Sequence, residues 1–243
     1  MTGPRETIGS LIGKIWAPAI ATIARARHAR MFHPVGLTFA GEAEPVGTGQ
    51  LRDVGEALAG RVLVRCSGAL WKRPLQRFEV LGIAMRFRNR SGPDLDAHAY
   101  IGDQDLLFAT ILSPITLPIA PFSTNAHDFL ANRYWAVAPF AVGDSRIKLR
   151  LRPATRGIGE GARNQRLRGD VVLGRAAFTL EARPTLRTGW QPIARIRLTH
   201  EVRVDQVALR FDPFRAGAGI EPVGLVHAIR RAAYAASQYA RPD

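Results

Sequence analysis

The chain has 243 residues, 47% hydrophobic and 22% charged, with a net charge of +14. That length allows one large domain or two small ones with a real core, and the composition excludes a disordered chain. A single cysteine, Cys66, excludes an internal disulfide and a cysteine-based zinc cluster.

So basic a surface attracts anions: nucleic acid, acidic lipid headgroups or an anionic cofactor. The arginines are spread along strand-like runs rather than gathered in a tail, which disfavours nucleic acid. No run reaches the ~18 apolar residues that a membrane-spanning helix needs.

From the N-terminus, "TIGSLIGKIWAPAIATIARARHAR" sets Ile8, Leu11, Ile12, Ile15 and Trp16 at helical spacing. Lys14 and Pro18 interrupt it, and its cations follow the apolar stretch, the reverse of a secretory signal. Two readings stand: a helix packed on the domain, or an interfacial helix on anionic lipid. Residues 1–29 are therefore expected to form a helical arm and 30–243 a single domain.

After residue 35 the chain is rich in strand signals. "RVLVRC" (61–66), "GIAMRFR" (82–88), "IKLRLR" (147–152), "AAFTLEA" (176–182), "IARIRLTH" (193–200) and "EVRVDQVALRF" (201–211) alternate apolar with polar residues. Long polar side chains on every second position suit a sheet with one face in water. The pattern predicts a mainly β, α+β fold: an antiparallel barrel or sandwich flanked by helices at both ends. "NAHDFLANRYWAVA" (125–138) suggests a short helix, and "ATRGIGEGARNQRLRG" (154–169) reads as a flexible basic loop. A last helix is predicted from about Pro222 to the end.

That last helix carries a pattern. Positions four and seven apart share one helix face, so Arg230, Tyr234 and Arg241 line one stripe. A guanidinium one turn from a phenol favours the phenolate, a hard anionic ligand. The spacing alone is equally met by a core tyrosine flanked by solvated arginines.

The upstream context makes the stripe specific. "FDPFRAGAGIEPVGLVHAIRRAAYAASQYAR" resembles the proximal segment of catalases, with Phe211, Pro213, Gly219-Ile220-Glu221-Pro222, Arg230, Tyr234 and Arg241 in place. The stretch before the tyrosine is one residue short, and Ala236-Ser237 replaces the usual Asp-Thr. "RMFHPVGLTFAG" matches the distal motif of that family with Arg30, His33, Gly36 and Gly41. "VRCSG" resembles its Arg-Phe-Ser element, with Arg65 and Ser67 in register and Cys66 at the phenylalanine position, read as structural. "GIAMRFRNRSGPDLDAHAYIGDQDLLF" follows the next stretch through Gly82, Ala84 and Phe87. The distal asparagine is missing; with a one-residue gap His98 falls there, and a surface histidine is the competing reading.

The resemblance implies a catalase-like barrel that holds haem b. Tyr234 would ligate the iron, Arg230 would keep it a phenolate, and Arg30, Arg65 and Arg241 would bind the propionates. His33 would move the peroxide proton, with Ser67 orienting its ring. The activity implied is that of a haem peroxidase acting on hydrogen peroxide or organic hydroperoxides, with weak catalase activity. The partners would be a peroxide and an electron donor. Alternatives are a fatty-acid hydroperoxide isomerase or lyase of the same fold, or a basic binding module without the cofactor. A cytoplasmic location is expected, with peripheral contact to anionic membrane and self-association left open.

Overall fold

The computed structural model describes residues 36–48, 51–70, 78–206 and 208–224. The expected N-terminal helix, most of the expected C-terminal helix, and Arg30, His33, Arg230, Tyr234 and Arg241 lie outside these residues.

Eight antiparallel strands close into a barrel. β1 (Gly36–Pro45) pairs with β2 (Gly60–Gly68), β2 with β3 (Leu81–Arg88), and β3 with β4 (Gln104–Ala109). The ring continues through β5 (Tyr134–Trp135), β7 (Ser145–Pro153), β8 (Ala177–Pro184) and β9 (Gln191–Glu201), which returns to β1. Two short strands, β6 (Phe140–Val142) and β10 (Glu221–Pro222), extend the sheet beside β7.

Period-two alternation fills the interior. Leu37 and Phe39, Val62, Val64 and Cys66, Ile83 and Met85, Leu149 and Leu151 join one buried cluster. Cys66 therefore points into the barrel, and burial pushes its thiol up to about 12. The thiolate is the reactive form, so a thiol reagent at pH 8 should modify Cys66 only after denaturation. Rapid reaction of the native protein would contradict this packing.

Helices plug the barrel ends. In α1 (Arg52–Ala57), Val54 faces the core and Gly55 meets β9; a Cβ at Gly55 would lie 2.1 Å from the Ile193 carbonyl oxygen. α2 (Ala120–Ser123) is one turn. At the other end α3 (Arg163–Val172) buries Leu167 and Val171. Its Asp170 accepts hydrogen bonds from the Ile158 and Gly159 amides at 2.8 and 3.0 Å, pinning the loop before it. Among the described residues no helix is long and apolar enough to cross a membrane.

Several expectations need correction. Half of the loop expected at 154–169 is the start of α3. The helix expected at 125–138 is a 3-10 turn (Phe129–Ala131) followed by β5, because Asp128 caps the turn and Asn132 bonds the carbonyls of Asn125 and Asp128. The strand expected at 201–211 leaves the sheet after Glu201, with a last backbone bond from the Val202 amide to the Thr38 carbonyl at 2.8 Å. Pro222 is paired with Phe140 in β10 and so does not begin a helix.

The water-facing reading fails for β3. Arg86 is 0% exposed and Arg88 4%. Arg86 forks onto Asp105 at 2.9 and 3.1 Å, and Arg88 onto Asp103 at 3.0 and 2.8 Å. The loops at 89–103 and 208–218 cover this pair of ion pairs. Their carbonyls at Ala97, His98 and Arg210 accept the remaining Arg86 N–H groups.

Candidate haem-facing surface

Residues that alternate with the core positions of β1–β4 point outward. The register aligns them in rows. Gly36 lies opposite Ser67, Ser67 opposite Gly82, and Gly82 opposite Ala109. One step along, Thr38, Arg65, Ala84 and Leu107 are likewise aligned. The first row has no side chain larger than serine, so four neighbouring strands present a flat strip. Side chains this small let a planar ligand lie close to the backbone of such a row; Ser67 and Gly82 are buried, and Gly36 and Ala109 are partly exposed.

Arg65 stands beside the strip, half-buried. Its Nε donates to Gln206 Oε1 at 3.0 Å, and Gln206 Nε2 donates to Thr38 Oγ1 at 2.9 Å. The chain after β9 thus sets the direction of the guanidinium. That guanidinium passes over Gly36: a Cβ there would lie 2.7 Å from Arg65 Cζ. Gly36 is thereby needed for close approach, and any side chain at that position would displace the cation. Ser67 is 4% exposed on the same strip.

Of the seven residues expected to form the site, the structure brings Arg65 and Ser67 onto one face. The other five lie outside the described residues. His98 has its side chain 75% exposed, with Nδ1 3.3 Å from Asp96, as a surface histidine. Its carbonyl serves the buried network by accepting from Arg86 and Arg88. The segment resembling the proximal motif is anchored by Gln104, which donates to the carbonyls of Arg215 and Ile220 at 2.8 and 3.2 Å. Nothing in the sequence reading singled out Gln104 or Gln206. Each acts on a segment more than a hundred residues away along the chain.

The arrangement can seat a flat apolar ring against the strip and hold an anionic substituent with Arg65. These are the needs of a haem with its propionates. The described residues fit that group on the one side they form.

Comparison of the whole chain with solved structures decides the architecture. It superposes on a structure of a bacterial catalase with a TM-score of 0.58, over 91% of this chain and 59% of that one, at 13% identity. The fold is catalase-like. The sequence matches no model of a known protein family and no curated relative. The chain spans about three fifths of the catalase it matches. Identity this low carries the architecture alone.

Proposed function

We propose that this chain is a haem-dependent peroxidase. The observation that carries the proposal is the strip of Gly36, Ser67, Gly82 and Ala109 with Arg65 beside it, on a catalase-like barrel. Haem b, when bound, supplies the redox chemistry of the peroxide O–O bond, drawing electrons from a separate donor. Arg65 would hold a propionate, together with Arg30 and Arg241. Tyr234 would ligate the iron, and Arg230 would keep its phenol ionised. His33 stands three residues before Gly36, within about 10 Å of extended chain. It accepts a proton from one peroxide oxygen and returns it to the other, with its ring oriented by the Ser67 hydroxyl.

Organic hydroperoxides are favoured by a second observation. Just beyond Ala109, Leu112, Ile115, Ile119 and Phe122 are 57%, 86%, 61% and 72% exposed. Apolar side chains beside the strip suit an apolar substrate.

The test is optical. Purified protein titrated with haemin should develop a ferric Soret band, and Tyr234→Phe should lose or markedly alter it. The holoprotein should turn over a fatty-acid hydroperoxide faster than hydrogen peroxide. Failure to take up haemin, or an unchanged iron spectrum in Tyr234→Phe, would refute the assignment.

A further inference from the structure

The basic residues that are scattered in the sequence converge on one surface of the barrel. In β7 the alternation turns Arg146, Lys148, Arg150 and Arg152 outward, spaced about 7 Å apart. β8 adds Arg183, and the turn from β8 to β9 adds Arg187. Against these six cations stand two acids in the same strands and turns, Asp144 and Glu181, and Glu221 two strands away in the row of Arg146. Glu181 is shared by Arg150 at 2.5 Å and Arg152 at 3.2 Å. Arg146, Lys148, Arg183 and Arg187 form no ion pair among the described residues.

This placement works against the fold. Lys148 lies directly opposite Arg183 across the strand pair. Like charges in such a position destabilise a sheet. The Arg183 guanidinium sits over the Trp190 ring, 5.1 Å from its centroid, and its Nε is buried without a hydrogen-bond partner. Arg150 contacts the same ring at 4.4 Å. The haem site does not explain the surface either. In the barrel order β7 and β8 lie across from β2 and β3, so the two faces point in opposite directions.

The adjoining turn supplies a second element. Leu186 at its tip is 99% exposed. Thr185 holds the tip beside β7 through hydrogen bonds from its amide and hydroxyl to the Arg146 carbonyl, at 2.8 and 3.1 Å. A projecting apolar side chain, ringed by cations and next to a tryptophan, matches the layering of a membrane interface. Headgroup phosphates meet arginine there, while the apolar side chain and indole reach the acyl boundary. A nucleic acid would use the cations and leave Leu186 in water.

We infer that the outer face of β7 and β8, with Leu186 and Trp190, docks the protein on an anionic lipid bilayer. The inference stands independently of the haem reading, because no residue of the strip takes part.

Sedimentation with vesicles tests it, using phosphatidylcholine with and without phosphatidylserine. The full chain should bind the mixed vesicles at low salt and release at high salt, with little binding to phosphatidylcholine alone. Arg146→Glu with Lys148→Glu should weaken binding by roughly tenfold or more. The same change puts an acid opposite Arg183, so the melting temperature should hold or rise; lost binding in an intact fold is the expected signature. Leu186→Ser should weaken binding by roughly fivefold. No binding of the full chain to the mixed vesicles would overturn the proposal, as would unchanged binding in both variants. So would tight binding of a single-stranded oligonucleotide that ignores Leu186→Ser and excludes the vesicles.

Discussion

Arg86→Met is expected to destabilise the protein by about 3–5 kcal/mol, the range for removing one partner of a buried ion pair. Asp105 is 0% exposed, and burial raises its pKa against the pull of Arg86. Without Arg86 it keeps only the Arg215 guanidinium at 2.7 Å and the Asp212 amide at 2.8 Å. The carbonyls of Ala97 and Arg210 lose their Arg86 donor as well, and that of His98 keeps only its bond from Arg88. Methionine fills much of the volume, so the loss is electrostatic rather than a cavity. The urea midpoint should fall by about 1–2 M for a chain of this size. Arg86→Met combined with Asp105→Leu should recover part of the loss, because no charge is then left unpaired. Additive losses would show that the pair is not a unit.

That network marks the limit of reading this fold from its sequence. Alternation alone locates β2, β3, β7, β8 and β9, because each has apolar residues on one side and a single dominant face. In β7 the polar positions do meet water. In β3 the same pattern meets Asp105 in β4 and Asp103 just before it, two acids at the same period. Only pairing reveals that the two alternations are complementary.

Other misreadings have equally local causes. Residues 202–211 alternate like a strand, yet Val204, Leu209 and Phe211 pack over Leu63 on the outside of the barrel. α3 looks like a loop because Gly157, Gly159 and Gly161 precede it and only Leu167 and Val171 give it an apolar stripe. Gly159 is needed where the loop crosses the helix: a Cβ there would lie 2.2 Å from the Arg166 carbonyl oxygen.

The candidate site was legible in the same partial way. Arg65 and Ser67 sit two apart in an alternating strand, so one shared face follows from sequence. The strip does not, because Gly36, Gly82 and Ala109 become neighbours of Ser67 only through three strand registers.

The strip makes the second large prediction. Ala84 lies between Arg65 and Leu107 in the row beside it, half-exposed on the outer face. Its interior neighbours Ile83 and Met85 hold β3 in the core. Ala84→Phe would therefore leave the barrel packing intact and raise an aromatic ring from the flat surface. Haem affinity should fall by roughly a hundredfold or more, since a ring cannot lie flat over a projecting side chain and loses its contact area. The melting temperature of the haem-free protein should change little. Haemin titration read at the Soret band measures the first, and a thermal melt of the apoprotein the second. Ala84→Ser, which keeps the surface low, should bind as the native chain does. Equal haemin affinity in Ala84→Phe would place the cofactor away from this strip. The peroxidase reading would then need another surface on the barrel.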